Sequence, residues 1–137
     1  MSAPVQSTVT VNGHACRVLA KGNGPKLGFL AGLIGVPKWT PFLDALATRF
    51  HVVVPSLPGF PGATGYENMD DITDWIAGTL DLLEGAGLSG ADLVGNGPGA
   101  MLGAEVAAMS PATVNRLVLM APFGLYDDAT PVPHLWA

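Results

Sequence analysis

The clearest chemical signal in this chain is the turn Gly95-Asn96-Gly97-Pro98-Gly99-Ala100, which joins an apolar segment, Ala91–Val94, to a helix-like segment, Met101–Met109. A glycine-flanked turn from a buried strand into a helix is where G-x-S-x-G enzymes mount a nucleophilic serine. Here the central residue is Gly97, which has no side chain to attack with, and Pro98 has no N–H to donate to an oxyanion. The turn therefore predicts a nucleophile elbow without its nucleophile, and we assign no catalytic residue.

The same glycines fit a second chemistry. Gly95-x-Gly97-x-x-Ala100 matches the dinucleotide fingerprint G-x-G-x-x-G/A, in which a phosphate lies on the helix N-terminus. However, Pro98 removes one N–H from that turn, and the acidic residue expected after the next strand is absent, because that strand ends in Met120-Ala121-Pro122. We favour the degenerate elbow, keep dinucleotide binding as an alternative, and note that a plain turn with nothing bound is a third interpretation.

The strands that would hold this turn follow from hydrophobic periodicity and turn residues. Alternation over Val5–Val11, a type I′ pair at Asn12-Gly13 and a return segment, His14–Ala20, predict a β-hairpin. Short apolar runs predict the remaining strands, which are Leu27–Ala31, His51–Val54, Ala91–Val94 and Leu117–Met120.

Helices are predicted between these strands. Thr40 followed by Pro41 favours a helix start, and Asn68 is expected to cap a longer helix that stops at Gly85 and Gly87. This alternation predicts one α/β domain over residues 1–137, with a mainly parallel sheet, an N-terminal hairpin and helices on both faces.

With these elements in place, the chain resembles the N-terminal half of the α/β-hydrolase superfamily. The hairpin precedes the first parallel strand, as in the family, and four further segments follow in the family's order. They are Gly32-Leu33-Ile34-Gly35 at the site of the oxyanion loop, Ser56-Leu57-Pro58-Gly59-Phe60 at the D-x-P-G-x loop, the elbow at Gly95–Gly99, and the strand region Leu117–Gly124. The family's acid and histidine usually lie beyond that last strand, so the resemblance implies a truncated fold without the C-terminal half.

Four positions depart from the family's pattern. Ala31 stands where the family usually has His, Ser56 replaces the usual Asp, and Gly97 and Pro98 remove the nucleophile and one oxyanion donor. Acyl transfer requires an activated nucleophile and donors directed at the developing oxyanion. The resemblance therefore implies the hydrolase scaffold without serine-hydrolase activity.

A binding or assembly function is the leading prediction. We expect a pocket at the carboxyl ends of the strands that takes a small apolar ligand, because its expected lining is apolar. The predicted ligand-binding residues are Gly32, Leu33, Asn96, Gly97, Pro98 and Phe123. An alternative is a hydrolase-like enzyme completed by a partner chain or by a C-terminal half.

The last strand, Leu117–Met120, raises a separate question of partners. In the resembled fold this strand is interior, and an apolar strand left at a sheet edge invites pairing. We therefore expect a homodimer or a partner chain at this edge.

Composition limits the other function classes. The 137 residues are 49% hydrophobic and 12% charged, with a formal net charge of −5, which argues against binding nucleic acids or anionic membranes. His14, His51 and His134 lack ligand spacing, so neither a metal nor a cofactor is predicted. The single cysteine, Cys16, and the lack of a recognisable signal peptide favour the cytoplasm.

Overall fold

The computed structural model describes residues 2–131 and contains the predicted hairpin and alternating elements. Asn12 and Gly13 adopt φ values of 49° and 81°, the left-handed pair that a type I′ hairpin turn requires. The strands are β1 (Val5–Val11), β2 (His14–Lys21), β3 (Lys26–Leu30), β4 (His51–Pro55), β5 (Ala91–Asn96) and β6 (Val114–Met120). The helices are α1 (Pro41–Ala47), α2 (Ile72–Gly85) and α3 (Pro98–Met109), with short 3₁₀ turns at Tyr66–Asn68 and Pro111–Thr113.

The six strands form one sheet in the order β1-β2-β4-β3-β5-β6. The strands β4, β3, β5 and β6 run parallel, whereas β2 pairs antiparallel with both β1 and β4. The predicted α/β class with a mainly parallel sheet and an N-terminal hairpin is confirmed. Because the parallel strands share a direction, the segments that follow β3, β4, β5 and β6 meet along one edge of the sheet.

Helices cover both faces of the sheet, as predicted. Successive residues of β3 show this, since Phe29 packs in the cluster around α1 and Leu30 packs in the cluster around α2 and α3. Leu43 of α1 and Leu82 of α2 are almost completely buried in these two clusters. The alternation of side chains along a strand thus gives β3 a core on each side.

The helix α1 begins as predicted, but α2 does not. Leu43 N donates to Thr40 Oγ1 at 3.3 Å, which confirms the cap of α1. The prediction that Asn68 caps α2 is wrong. The cap is Asp71, whose carboxylate accepts from Thr73 N at 2.7 Å and from Asp74 N at 3.2 Å.

The later start of α2 has a local cause. Asp71 N donates to Asp74 Oδ2 at 3.3 Å, so the two aspartates form a reciprocal capping box that a single asparagine cannot match. Asn68 instead ends a 3₁₀ turn, and its Nδ2 lies 2.6 Å from His14 Nε2.

One half-buried ion pair yields a prediction about pH. Lys21 Nζ lies 2.6 Å from Asp44 Oδ1, and Trp39 Nε1 donates to the same oxygen at 2.9 Å. The hydrogen bond from Lys21 lowers the pKa of Asp44 below its usual range, with a smaller contribution from Trp39. A carboxyl whose pKa is lower in the folded state stabilises the fold above its unfolded pKa, and that stabilisation disappears as pH falls through the folded pKa.

We therefore expect Asp44→Asn to lower the free energy of unfolding at neutral pH. The difference from the wild type should shrink once pH falls below about 4, the pKa of an unperturbed Asp. Urea unfolding followed by fluorescence across this range measures it, with Asp81→Asn on the exposed face of α2 as control. A difference that stays constant into strong acid would contradict the assignment.

Candidate functional site

A cavity of about 420 Å³ opens at the carboxyl ends of β3, β5 and β6. This cavity is lined by all six residues that are predicted to bind a ligand. They come from three separate segments of the chain. They are Gly32, Leu33, Asn96, Gly97, Pro98 and Phe123. The other lining residues are Phe29, Ala31, Ile34, Gly35, Val36, Thr40, Phe42, Leu43 and Ala121.

Gly97 forms the sharp bend between β5 and α3. Its φ of 56° and ψ of −119° match the first central residue of a type II′ turn, a conformation dominated by glycine. Its N–H donates to Met120 O at 3.0 Å, and its carbonyl accepts from Met101 N at 3.1 Å and from Phe123 N at 3.2 Å. The bend is therefore held from both α3 and the end of β6.

The three glycines of the bend are required for different reasons. A Cβ on Gly95 would lie 2.5 Å from Ala100 Cα, and one on Gly99 would lie 2.4 Å from the carbonyl oxygens of Leu30 and Ala31. A Cβ on Gly97 would make only ordinary contacts, 3.7 Å from Phe123 Cε1 and 3.9 Å from Gly32 Cα. Close packing thus demands the outer glycines, whereas backbone conformation alone favours the central one.

The segment after β3 forms the outer wall of the cavity. Gly35 N donates to Gly32 O at 2.9 Å, which closes a four-residue turn with Leu33 and Ile34 at its tip. These two side chains are 62% and 78% exposed at the rim of the cavity. The missing side chain of Gly32 leaves room for Asn96, whose Nδ2 would lie 3.3 Å from a Cβ at that position.

The segment after β6 forms the opposite wall. Ala121 has a φ of 45°, an uncommon value for a residue with a side chain, with a cost of roughly 1–3 kcal/mol. This bend brings Phe123 back over Gly97, where its backbone N–H reaches the glycine carbonyl. The aromatic ring of Phe123 thereby covers the position where a side chain of residue 97 would project.

The lining is uncharged. Among the described residues that surround the cavity, Thr40 and Asn96 supply the polar side chains, and the others are apolar or glycine. His51 is remote from the lining, with its Nδ1 2.9 Å from Gly22 O, and His14 contacts Asn68. His134 lies outside the described residues.

Other titratable groups take structural positions. Asp127, which follows the last strand, accepts hydrogen bonds from Thr130 Oγ1 at 2.7 Å and Ala129 N at 3.1 Å, and these lower its pKa. Burial raises the pKa of the Cys16 thiol. Within residues 2–131, no three His, Cys, Asp or Glu side chains gather as a metal site would require. None of the helices described is long and apolar enough to span a bilayer.

Arg17 was not identified from the sequence, and it forms hydrogen bonds with two loops near the cavity, one at Val36 and one at Gly62. Arg17 Nη2 donates to Val36 O at 2.7 Å, and Arg17 N donates to Gly62 O at 2.9 Å. Its Nε is buried without a hydrogen-bond partner among the described residues. The signal in the sequence is a charged residue flanked by apolar ones, Cys16 and Val18, in the return strand of the hairpin.

Comparisons with known proteins agree with this geometry. The sequence pattern of the alpha/beta hydrolase fold family matches residues 27–136. Over 118 residues the chain is 30% identical to the 2-hydroxy-6-oxo-2,4-heptadienoate hydrolase of Pseudomonas putida, covering 82% of this chain and 39% of that protein. Over 113 residues it is 33% identical to the 2-hydroxymuconate semialdehyde hydrolase of a Pseudomonas species, covering 79% and 36%.

A solved structure shows the same fold. The 2-hydroxy-6-oxo-6-phenylhexa-2,4-dienoate hydrolase of a Rhodococcus species superposes with a TM-score of 0.79 at 23% identity, covering 96% of this chain and 50% of that one. The chain spans less than half the length of the two Pseudomonas relatives. The family match, the sheet topology and the turn at Gly97 lead to one conclusion: this chain belongs to the α/β-hydrolase fold family.

Proposed function

We propose that this chain binds a small, uncharged, apolar ligand in the cavity and forms no acyl-enzyme at residue 97. One observation carries the proposal: the point at which a nucleophile would project faces the cavity, 3.7 Å from Phe123 Cε1, but residue 97 is glycine. The next residue, Pro98, has no N–H to stabilise an oxyanion.

The energetics support binding over covalent catalysis. Removing one oxyanion donor typically costs about 3–4 kcal/mol of transition-state stabilisation, and removing the nucleophile eliminates the covalent route altogether. The size of the cavity, by contrast, falls within the range of small-molecule sites, and its lining is mostly apolar. The names of the two Pseudomonas relatives describe hydrolases, which must bind a substrate, and this supports a ligand site in the present chain.

Phenyl acetate tests both parts of the proposal, because it is neutral and carries an ester. We expect titration followed by amide NMR to shift the signals of Gly32, Gly97 and Phe123, while hydrolysis stays at the rate of buffer alone. Turnover that disappears when Asn96–Pro98 is altered would support the enzyme alternative. Shifts at Gly95–Ala100 produced by NAD, with none produced by phenyl acetate, would support the dinucleotide alternative.

A pair of glutamate substitutions tests the apolar wall. Leu33→Glu puts a charge at the rim of the cavity, so we expect phenyl acetate affinity to fall about 10-fold, equivalent to about 1.4 kcal/mol. Leu125→Glu is the matched control, because Leu125 is 71% exposed and lies outside the described cavities, whereas Leu33 is 62% exposed. Equal affinities for the two variants would contradict binding at this cavity.

We also propose that two copies of the chain pair through β6. This strand lies at the edge of the sheet formed by the described residues, and Val118, Leu119 and Met120 are exposed there. The helix α2, which carries Asp74, Asp81 and Glu84, packs against β1 at the opposite edge of the sheet, so pairing through β6 keeps the two copies of this helix apart. An exposed apolar edge strand is a ready template for pairing with another strand.

A further inference from the structure

Two smaller cavities adjoin the main one on the side of α2, with volumes of about 320 and 140 Å³. Both are lined by Phe60 and Trp75, and we call this pair of cavities the aromatic groove. Leu33 lines the main cavity and the larger part of the groove, and Pro98 lines the main cavity and the smaller part. The three cavities therefore lie side by side, with Leu33 and Pro98 between the main cavity and the groove.

The groove has a fixed shape. The rings of Phe60 and Trp75 pack edge to face, with centroids 5.7 Å apart and an interplanar angle of 88°. Tyr66 also packs edge to face against Trp75, with centroids 6.2 Å apart and an interplanar angle of 62°. Rings packed in this way lose little conformational entropy when a ligand binds. Little of the free energy gained from apolar contact with them is therefore spent on ordering side chains.

The charge around the groove selects against anions. Its described lining contains no charged side chain, and the segments that supply Tyr66 and Ile72 carry Glu67 and Asp71 directly beside them. The whole chain has a formal net charge of −5. A carboxylate or phosphate head group would therefore meet repulsion without a cationic partner, whereas a neutral chain would bury apolar surface.

We propose that the ligand is elongated and uncharged, a long-chain alcohol or ester. Its polar end occupies the main cavity beside Asn96, and its alkyl chain crosses Leu33 and Pro98 into the aromatic groove. This inference rests on the proposed function, because it extends the same cavity, and it adds the class of ligand and the path of its chain.

Calorimetric titration with hexanol, octanol, decanol and dodecanol, each below its solubility limit, tests the path. We expect affinity to rise about fourfold for each added methylene through the whole series, and dodecanoate to bind more weakly than dodecanol. A plateau at octanol, or tighter binding of dodecanoate, overturns the inference. If phenyl acetate binds as described above but affinity is independent of chain length, only the inference fails; if phenyl acetate does not bind, the proposed function fails.

A substitution in the groove separates its contribution from that of the main cavity. Ile72→Gln alters an exposed position in the first turn of α2 that lines the groove, so folding should be preserved. We expect dodecanol affinity to fall about fivefold while hexanol affinity is unchanged. Met109→Gln, an exposed position of α3 outside the three cavities, is the matched control and should change neither. An equal loss for both alcohols, or no loss for either, overturns the inference.

Discussion

Gly99→Ala is expected to destabilise the fold by more than about 3 kcal/mol, whereas Gly97→Ala should cost about 1–3 kcal/mol. The larger effect arises because the new methyl group would lie 2.4 Å from two backbone oxygens of β3 and the residue after it. Backbone atoms cannot rotate away as a side chain can, so β3 and α3 would have to separate. At position 97 the added methyl group finds space, and the cost is conformational.

Gly13→Ala provides the reference for this comparison. Gly13 also has a positive φ, of 81°, and an added Cβ there would meet nothing within 4 Å, so its substitution measures the conformational cost alone. Urea denaturation should show the smallest loss of stability for Gly13→Ala and a larger one for Gly97→Ala, because the ψ of −119° at Gly97 lies outside the left-handed helical region. The loss for Gly99→Ala should be the largest of the three. A mild effect at Gly99 would mean that α3 does not pack against β3 as described.

Val118→Lys is expected to weaken self-association about 100-fold or more. Val118 is 54% exposed on the face of β6 opposite Leu117, which faces α3, so a lysine there should leave the fold intact. In a twofold interface each substitution occurs twice, and about 1.4 kcal/mol per copy gives this factor. The lysines of the two copies would also repel one another across the paired strands.

Sedimentation equilibrium measures this effect, and two variants serve as controls. Val118→Thr keeps the branched shape without the charge, so its dimer should persist. Val5→Lys makes the same change on β1, at the other edge of the sheet, where the side chain is 71% exposed, and should leave association unchanged. A wild-type chain that sediments as a monomer at high concentration would contradict the β6 interface.

Part of this architecture is determined by local sequence. The type I′ pair at Asn12-Gly13, the cap at Thr40 and the bend at Gly97 all form as predicted, because each depends on residues within a few positions of one another. The order and type of the elements follow for the same reason, since hydrophobic periodicity is a local property. The absence of a nucleophile at Gly97 is likewise a matter of residue identity.

The start of a helix is harder to predict where two candidate capping residues lie close together in the sequence. Asn68 and Asp71 are both good capping residues, and only the reciprocal bonds with Asp74 decide that α2 begins at Ile72. The contact of Asn68 with His14, which is 54 positions away in the sequence, also depends on the fold.

The sequence by itself determined the sheet class, the hydrolase-like elbow and the residues expected around it. Only the tertiary structure decided that β4 lies between β2 and β3, that Arg17 braces the loop ending at Val36, and that Phe60 and Trp75 extend the main cavity into a groove. The reason is physical: turns and caps are governed by bonds between neighbours in the chain, whereas cavities arise where distant segments pack. Strand order and helix placement set the distances between such segments, and no local pattern encodes them.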